Sequence, residues 1–276
     1  MPHTNLTESV QHLIEIHHIN KQYQSGETID CAIDQMDFCV DDGEFVAVVG
    51  QSGSGKSTLL SILGGLNHPS GGQLLVDSLD VYRLSSEQRA DFRNEYIGFI
   101  FQSFQLIGYL SVLENIMLPM AITGLGNTRQ RKMAMDVLEK VGLADKAGRL
   151  PDLLSGGEQE RVAIARAIVN KPPILLADEP TGNLDTETAL EVMELLSSLN
   201  RDEQLTILMV THNIDNCHYA DRIIGVKDGC ISFCKSNTGP TNTPYNGRNQ
   251  PQSVDRTLYG QIVNNPATKL LTHSTH

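Results

Sequence analysis

A chain of 276 residues, 40% hydrophobic and 20% charged, can bury a full core as one large domain or one and a half small ones. Its formal net charge of −12 argues against a nucleic-acid surface, which needs clustered Lys and Arg. No run approaches the roughly 18–20 apolar residues that span a bilayer, and the first residues lack the basic and apolar regions of a signal peptide. A cytoplasmic protein is expected, with any membrane contact made through a partner.

Residues 12–19 and 28–40 read as strands joined by Ser25-Gly26. Between them Tyr23 offers an aromatic face on which an adenine could stack. His17 and His18 are adjacent on the first strand and should point to opposite faces, which makes a poor metal site. Cys31, Cys39, Cys217, Cys230 and Cys234 are odd in number and lack C-x-x-C spacing, so reduced, mostly buried thiols are expected.

The turn Asp41-Asp42-Gly43 feeds the apolar strand Glu44–Val49, which leads into Gly50-Gln51-Ser52-Gly53-Ser54-Gly55-Lys56-Ser57-Thr58 and then a helix starting near Lys56. This is the phosphate-binding loop G-x-x-x-x-G-K-[ST] in its proper setting of strand, glycine turn and helix. Glycines let backbone N–H groups close around phosphate oxygens, and the helix points its positive end at the same anion. Lys56 should reach the β- and γ-phosphates, and the Ser57 hydroxyl should ligate Mg²⁺.

A short strand follows at 73–77, a helix start at Ser85-Ser86-Glu87, and a buried strand at 96–101 ending in Gln102. Residues 110–122 and 128–141 carry helical periodicity. Pro151 breaks the chain before Leu154-Ser155-Gly156-Gly157-Glu158-Gln159, which opens a helix over 161–169. Ile174–Ala177 is a buried strand capped by Asp178-Glu179, a helix follows over 186–200, and the strand 205–210 ends in Thr211-His212. Strands near 222–226 and 230–233 close the globular part across the turn at 227–229. Residues 235–276 are polar, and with little apolar periodicity they are expected to be disordered, the patch within Ser253–Val263 being the one candidate for docking.

Strands alternating with helices give an α/β domain with a mostly parallel core sheet. Ligands of such sheets sit beyond the carboxyl ends of the strands. Gly50, Gln102, Asp178 and His212 all come at predicted strand ends, so they can converge on one crevice.

The order of these motifs resembles the ATP-binding-cassette (ABC) ATPases over residues 12–234, with 1–11 left as an N-terminal extension and a helical subdomain at about 103–165. Leu154–Gln159, Ile174–Pro180 and His212 carry the likeness. Within that family, Gly98–Phe104, Leu113–Ile116 and Ala177–Asp185 are most similar to the ATPase subunits of bacterial lipoprotein-releasing and macrolide-export systems. The resemblance implies a P-loop NTPase fold with an antiparallel β subdomain. It implies that Tyr23 stacks on adenine, Asp178 holds Mg²⁺ directly or through water, and Glu179 is the general base or orients the water. His212 would contact the γ-phosphate, and Gln102 would reach the metal or water and couple the site to neighbouring helices. Ser155, Gly156 and Gly157 would close over the ATP of a second copy, with Asp185 joining the two sites.

The implied protein is the ATPase subunit of a transporter, a homodimer around two ATP on the cytoplasmic face of the membrane. It would power a separate multi-pass permease for export or for lipoprotein, peptide or drug extrusion. The alternative is a mechanical or regulatory ATPase that moves no solute. Three departures from the family pattern stand out: Glu160 in place of a common Gln, which adds a charge beside the Ser155 turn; Gly108-Tyr109 in place of a proline turn; and the long tail. The apolar segment 104–120 is a candidate coupling surface, or else ordinary core.

Overall fold

The computed structural model describes residues 12–26 and 28–237. The expectations for the N-terminal extension and for 238–276, including the Ser253–Val263 patch, lie outside the described residues.

Among the described residues, ten strands and six α-helices succeed one another as β1 (Ile14–Ser25), β2 (Thr28–Val40), β3 (Phe45–Val49), α1 (Lys56–Leu63), β4 (Gly71–Val76), β5 (Leu79–Asp80), α2 (Ser86–Tyr96), β6 (Ile97–Ile100), α3 (Val112–Met117), α4 (Asn127–Lys140), α5 (Gly156–Ile168), β7 (Ile174–Asp178), α6 (Thr186–Glu203), β8 (Thr206–Thr211), β9 (Arg222–Lys227) and β10 (Cys230–Ser236). The central six-stranded sheet runs β10-β9-β3-β8-β7-β6. Its strands are parallel except β10, which returns antiparallel to β9. A second, antiparallel sheet runs β2-β1-β4-β5. The expected α/β architecture, with a mostly parallel sheet and an antiparallel β unit, is what the chain adopts.

Every residue of β3 and β8 is buried, as parallel strands covered on both faces require. Alternation divides their side chains between two cores. Phe45, Ala47, Val49, Ile207 and Met209 face the helices α3 to α6. Val46, Val48, Leu208 and Val210 face α1, α2 and the antiparallel sheet, meeting Ile14, Ile16 and Leu59. The parallel register aligns the strand ends: Val49 lies beside Thr211, Asp178 beside Val210, and Ile100 beside Ala177. The loops that follow β3, β6, β7 and β8 therefore leave the sheet on one edge.

Helix starts follow local chemistry. Ser85, Ser111 and Ser155 cap α2, α3 and α5, each with a reciprocal Gln or Glu three residues on. Helix α5 thus begins at Gly156, five residues before the sequence reading. Helix α3 stops at Met117 and continues as a 3-10 turn over Leu118–Ile122, where Pro119 sits at its start.

Two expectations are corrected. First, β1 extends to Ser25 and carries Tyr23 within it. A bulge between Ile16 and Ile19, with His18 at φ 49°, breaks the simple alternation expected of His17 and His18. Second, only Cys217 is buried; Cys31, Cys230 and Cys234 are exposed because β2 and β10 are edge strands of their sheets. The segment 104–120 is divided between core and surface: Val112, Leu113, Ile116 and Met120 are buried, Gln105, Gly108, Tyr109, Glu114 and Leu118 are exposed, and Asn115 ties the loop through bonds to Ile107 and Leu110. Tyr109, 82% exposed, and Leu118, 37% exposed, are the large apolar residues it presents to solvent.

Candidate active site

The loop after β3 is shaped by close backbone approaches. A Cβ on Gly50 would sit 2.2 Å from the Val226 carbonyl oxygen, and one on Gly55 would sit 2.2 Å from that of Ala32. Gly55 also has φ 100°, which side-chain-bearing residues avoid. Only glycine fits either place. The loop then turns into α1, whose first residue, Lys56, is 6% exposed. Its Nζ donates to the carbonyls of Gly50 at 2.9 Å and Gln51 at 2.8 Å. Desolvation lowers its pKa, while the charges of Glu179 and Asp178 oppose that shift.

Next along α1, the Ser57 hydroxyl donates to Asp178 Oδ1 at 3.1 Å. Burial at the end of β7 raises the Asp178 pKa; the Ser57 bond lowers it, Glu179 raises it further and Lys56 lowers it. A carboxylate desolvated in this way is stabilised by a cation close to its oxygens. Glu179 follows with φ 52°, a left-handed conformation unusual for a non-glycine residue and typical of functional sites. Its N–H donates to Val210 and its carbonyl accepts from Gly182, which hold the turn. Its Oε2 pairs with His212 Nδ1 at the end of β8. From the loop after β6, the Gln102 carbonyl accepts from Asn183 Nδ2 at 2.8 Å.

These loops enclose a cavity of about 630 Å³ lined by Ala32, Gln51, Ser52, Gly53, Gly55, Lys56, Ser57, Thr58, Gln102, Glu179 and His212. Ten of the expected site residues thus line one space. Gly50 and Ser54 pack together beneath the loop, with the buried Ser54 Oγ unpaired, and Asp178 stands behind Ser57. Tyr23 lies outside the lining; it is 41% exposed, its hydroxyl accepts from Asn67 at 2.6 Å, and Lys21 Nζ sits 4.9 Å from its ring centre. Ala32 and Asn183 join the site without any signal of their own in the sequence, since each arrives through tertiary packing.

Ser155, Gly156, Gly157 and Asp185 also lie outside the cavity, but next to one another. A Cβ on Gly157 would meet Thr188 Cγ2 at 2.0 Å, and one on Gly156 would meet Leu184 at 3.4 Å. Asp185 caps α6 by accepting from Thr188 N at 3.1 Å and from Thr188 Oγ1 at 2.7 Å. The two motifs are therefore adjacent, with Ser155, Gly156 and Asp185 exposed along one edge and Gly157 buried against Thr188. Glu160 departs from expectation: it is 1% exposed, and burial pushes its pKa up to about 8. It is mostly neutral at pH 7 and adds no full charge beside the Ser155 turn.

The donor set fits a magnesium nucleotide. Among the described residues no group of three or more His, Cys, Asp or Glu could cage a metal. One hydroxyl, one carboxylate and open space suit Mg²⁺, which takes few protein ligands and fills its shell with phosphate and water.

The pattern of the family described as "ABC transporter" matches residues 33–182. The macrolide export ATP-binding/permease protein MacB of Chlorobaculum tepidum is 45% identical over 219 residues, which are 79% of this chain and 33% of that one. An uncharacterized ABC transporter ATP-binding protein of Mycobacterium tuberculosis, Rv0986, is 40% identical over 85% of this chain and 94% of its own. Among solved structures, the cassette MJ0796, a protein of Methanocaldococcus jannaschii, superposes in a dimeric form with a TM-score of 0.77 at 40% identity, covering 82% of this chain and 99% of that one. A second MJ0796 dimer, described as a post-hydrolysis state bound to ADP and Pi, superposes with the same score at 39% identity over the same shares.

Proposed function

Because this chain belongs to the ABC transporter family and is an ABC-type ATPase, we propose that it binds Mg²⁺-ATP in the cavity at the carboxyl ends of β3, β6, β7 and β8 and hydrolyses it to power a membrane partner. The observation that carries this reading is the gathering of Lys56, Ser57, Gln102, Glu179 and His212 around one space, with Asp178 directly behind.

In this reading Lys56 exchanges the Gly50 and Gln51 carbonyls for β- and γ-phosphate oxygens. The backbone N–H groups of Gln51–Thr58 and the positive end of α1 meet the remaining phosphate charge. Ser57 and Asp178 hold Mg²⁺, with Gln102 reaching the metal or the attacking water. Bound Mg²⁺ supplies positive charge against the charge that develops on the transferring phosphoryl group. Glu179 takes the proton of the water or orients it, and His212, already paired with Glu179, keeps that carboxylate in place and faces the γ-phosphate. Tyr23, which is not among the residues that line the cavity, is proposed to stack on the adenine.

The edge formed by Ser155–Gly157 and Asp185 has no role in its own cavity, which supports a homodimer in which each copy closes its edge over the other's ATP. A glycine turn capped at the start of α5 is suited to phosphate. The MJ0796 cassettes that superpose on this chain are dimeric, which supports a homodimer.

No helix among the described residues is long and apolar enough to cross a membrane. The partner is proposed to be a separate multi-pass permease that holds this chain on the cytoplasmic face, a reading supported by the relatives Rv0986 and MJ0796, each named an ABC transporter ATP-binding protein, of whose length the match spans 94%. Export, in the manner of the MacB relatives' names, is the proposed direction. Exposed Tyr109 belongs to the surface offered to that partner.

The test is Glu179→Gln in the presence of ATP and Mg²⁺. It is expected to bind nucleotide, run as a dimer on size exclusion and turn over at least about 100-fold more slowly. Pull-down of this trapped form from its own cells in detergent should bring a multi-pass membrane protein. Near-normal turnover would move the general base elsewhere, and recovery of soluble partners alone would overturn the transporter reading.

A further inference from the structure

Arg166 stands near the C-terminal end of α5, half-buried, with both terminal nitrogens engaged. Nη1 donates to the Gln105 carbonyl at 2.6 Å and Nη2 to the Phe104 carbonyl at 2.7 Å. Those carbonyls lie two and three residues after Gln102. Phe104 and Gln105 have φ 56° and 49°, so two successive non-glycine residues sit in the left-handed region. Nothing in their covalent structure favours that shape. Such conformations persist where surrounding contacts hold them. A planar guanidinium that forks across two neighbouring carbonyls is suited to the task, and the short ammonium of a lysine is not.

The loop is pinned at three places. Asn183 holds the Gln102 carbonyl at its start, Asn115 holds both backbone groups of Ile107 at its end, and Arg166 holds the middle. Of the three, Arg166 alone belongs to the helix that begins at Ser155-Gly156-Gly157. The helical stretch from Gly156 to Arg166 is continuous and about 15 Å long.

We infer that Arg166 is a positioning residue: its fork on the Phe104 and Gln105 carbonyls fixes the loop that sets Gln102 in the cavity, and links that loop rigidly to the Ser155 turn. This rests on the role proposed above for Gln102. Glu160, on the same helix, supports it by being uncharged over most of the neutral range, which leaves the guanidinium to the carbonyls.

The experiment compares Arg166→Lys, Gln102→Ala and their double variant in the full chain, with Arg166→Gln as a second substitution should the lysine fail to fold. Hydrolysis kcat and KM, affinity for a fluorescent ATP analogue with Mg²⁺, and thermal midpoint are read for each. Arg166→Lys is expected to lower kcat about 10-fold while KM and affinity stay within about 2-fold, the mark of a displaced group rather than a lost binding contact. In the double variant it should add nothing to the loss from Gln102→Ala, because both act through one side chain.

An unaltered kcat in Gln102→Ala would overturn the role of Gln102 and the inference with it. A damaged Gln102→Ala beside an unaltered Arg166→Lys would overturn the positioning role alone. So would losses that multiply in full, or a kcat loss matched by equal losses of affinity and thermal midpoint.

Discussion

Glu160 lies on the second turn of α5 among Val162, Ala163 and Ile164, 1% exposed, and its Oε1 has no hydrogen-bond partner. Desolvation raises its pKa from the ordinary 4.5 to about 8, with the Arg166 charge opposing. The sign of the resulting pH dependence follows from proton counting. Below the unfolded value both states hold the proton and the group contributes nothing to the slope. Between 4.5 and about 8 the folded chain keeps a proton that the unfolded chain has released, so stability falls as pH rises, at about 1.4 kcal/mol per pH unit. Above about 8 both states are ionised and the loss is complete. Glu160→Gln keeps the size and removes the titration. Chemical denaturation at pH 5 and pH 8.5 should find the variant about as stable as the parent at the lower pH and more stable by several kcal/mol at the higher one. Parallel pH dependence in the two proteins would show that Glu160 ionises freely in the fold. A sequence reader sees a charged residue here, because the helix face it occupies is decided by packing against the sheet.

Helix α5 meets the start of α6 through a contact that leaves no room for a side chain. Gly157 faces Thr188, whose hydroxyl donates to Asp185 Oδ2 at 2.7 Å, so the Thr188 methyl group cannot rotate away without losing that bond. Gly157→Ala is therefore expected to cost about 1–3 kcal/mol, the range for overpacking a tight site. The informative partner is Thr188→Ser, which removes the obstructing methyl and keeps the hydroxyl for Asp185. Thermal unfolding of the double variant should recover most of the loss, whereas equal destabilisation with and without Thr188→Ser would place the cause in the backbone of the Ser155 turn. At this scale much could be read directly from residues. The glycine spacing of 50–58, apolar runs of parallel-strand length and Ser-x-x-Glu at Ser155 each report a local rule. The rest was hidden because it depends on distant segments. The left-handed turn at Glu179 is held by Val210, that at Phe104 and Gln105 by Arg166, and Val112, Leu113 and Ile116 are core because α3 clusters with α4 and α5.

In the proposed function the chain carries two phosphate-binding surfaces: the cavity around Lys56 and the edge on which Ser155, Gly156 and Asp185 are exposed. On that proposal one copy alone would leave the second surface idle, and two copies arranged head to tail would use both. This arrangement has a consequence that a self-contained site lacks. Lys56→Ala removes the charge that meets the β- and γ-phosphates, so a pure population of this variant should lose nucleotide binding and turnover. Ser155→Arg puts a bulky cation on the opposing edge and should also abolish turnover, while single copies still bind nucleotide in the cavity. Its own fold should survive, since loss of an exposed cap costs about 1 kcal/mol. When the two inactive proteins are mixed, a mixed dimer contains one site with both defects and one with neither. That intact site joins the Lys56 of the Ser155→Arg copy to the Ser155 of the Lys56→Ala copy. Hydrolysis should reappear on mixing and rise to a maximum near equal proportions, provided one intact site suffices for turnover. A site completed within one chain predicts no recovery at any ratio, because each chain then carries its own defect into every assembly. Mixing also separates dimerisation from catalysis: if the mixed dimer forms on size exclusion with ATP and Mg²⁺ and yet stays inactive, the two sites must act together, and the closed state depends on nucleotide held at both.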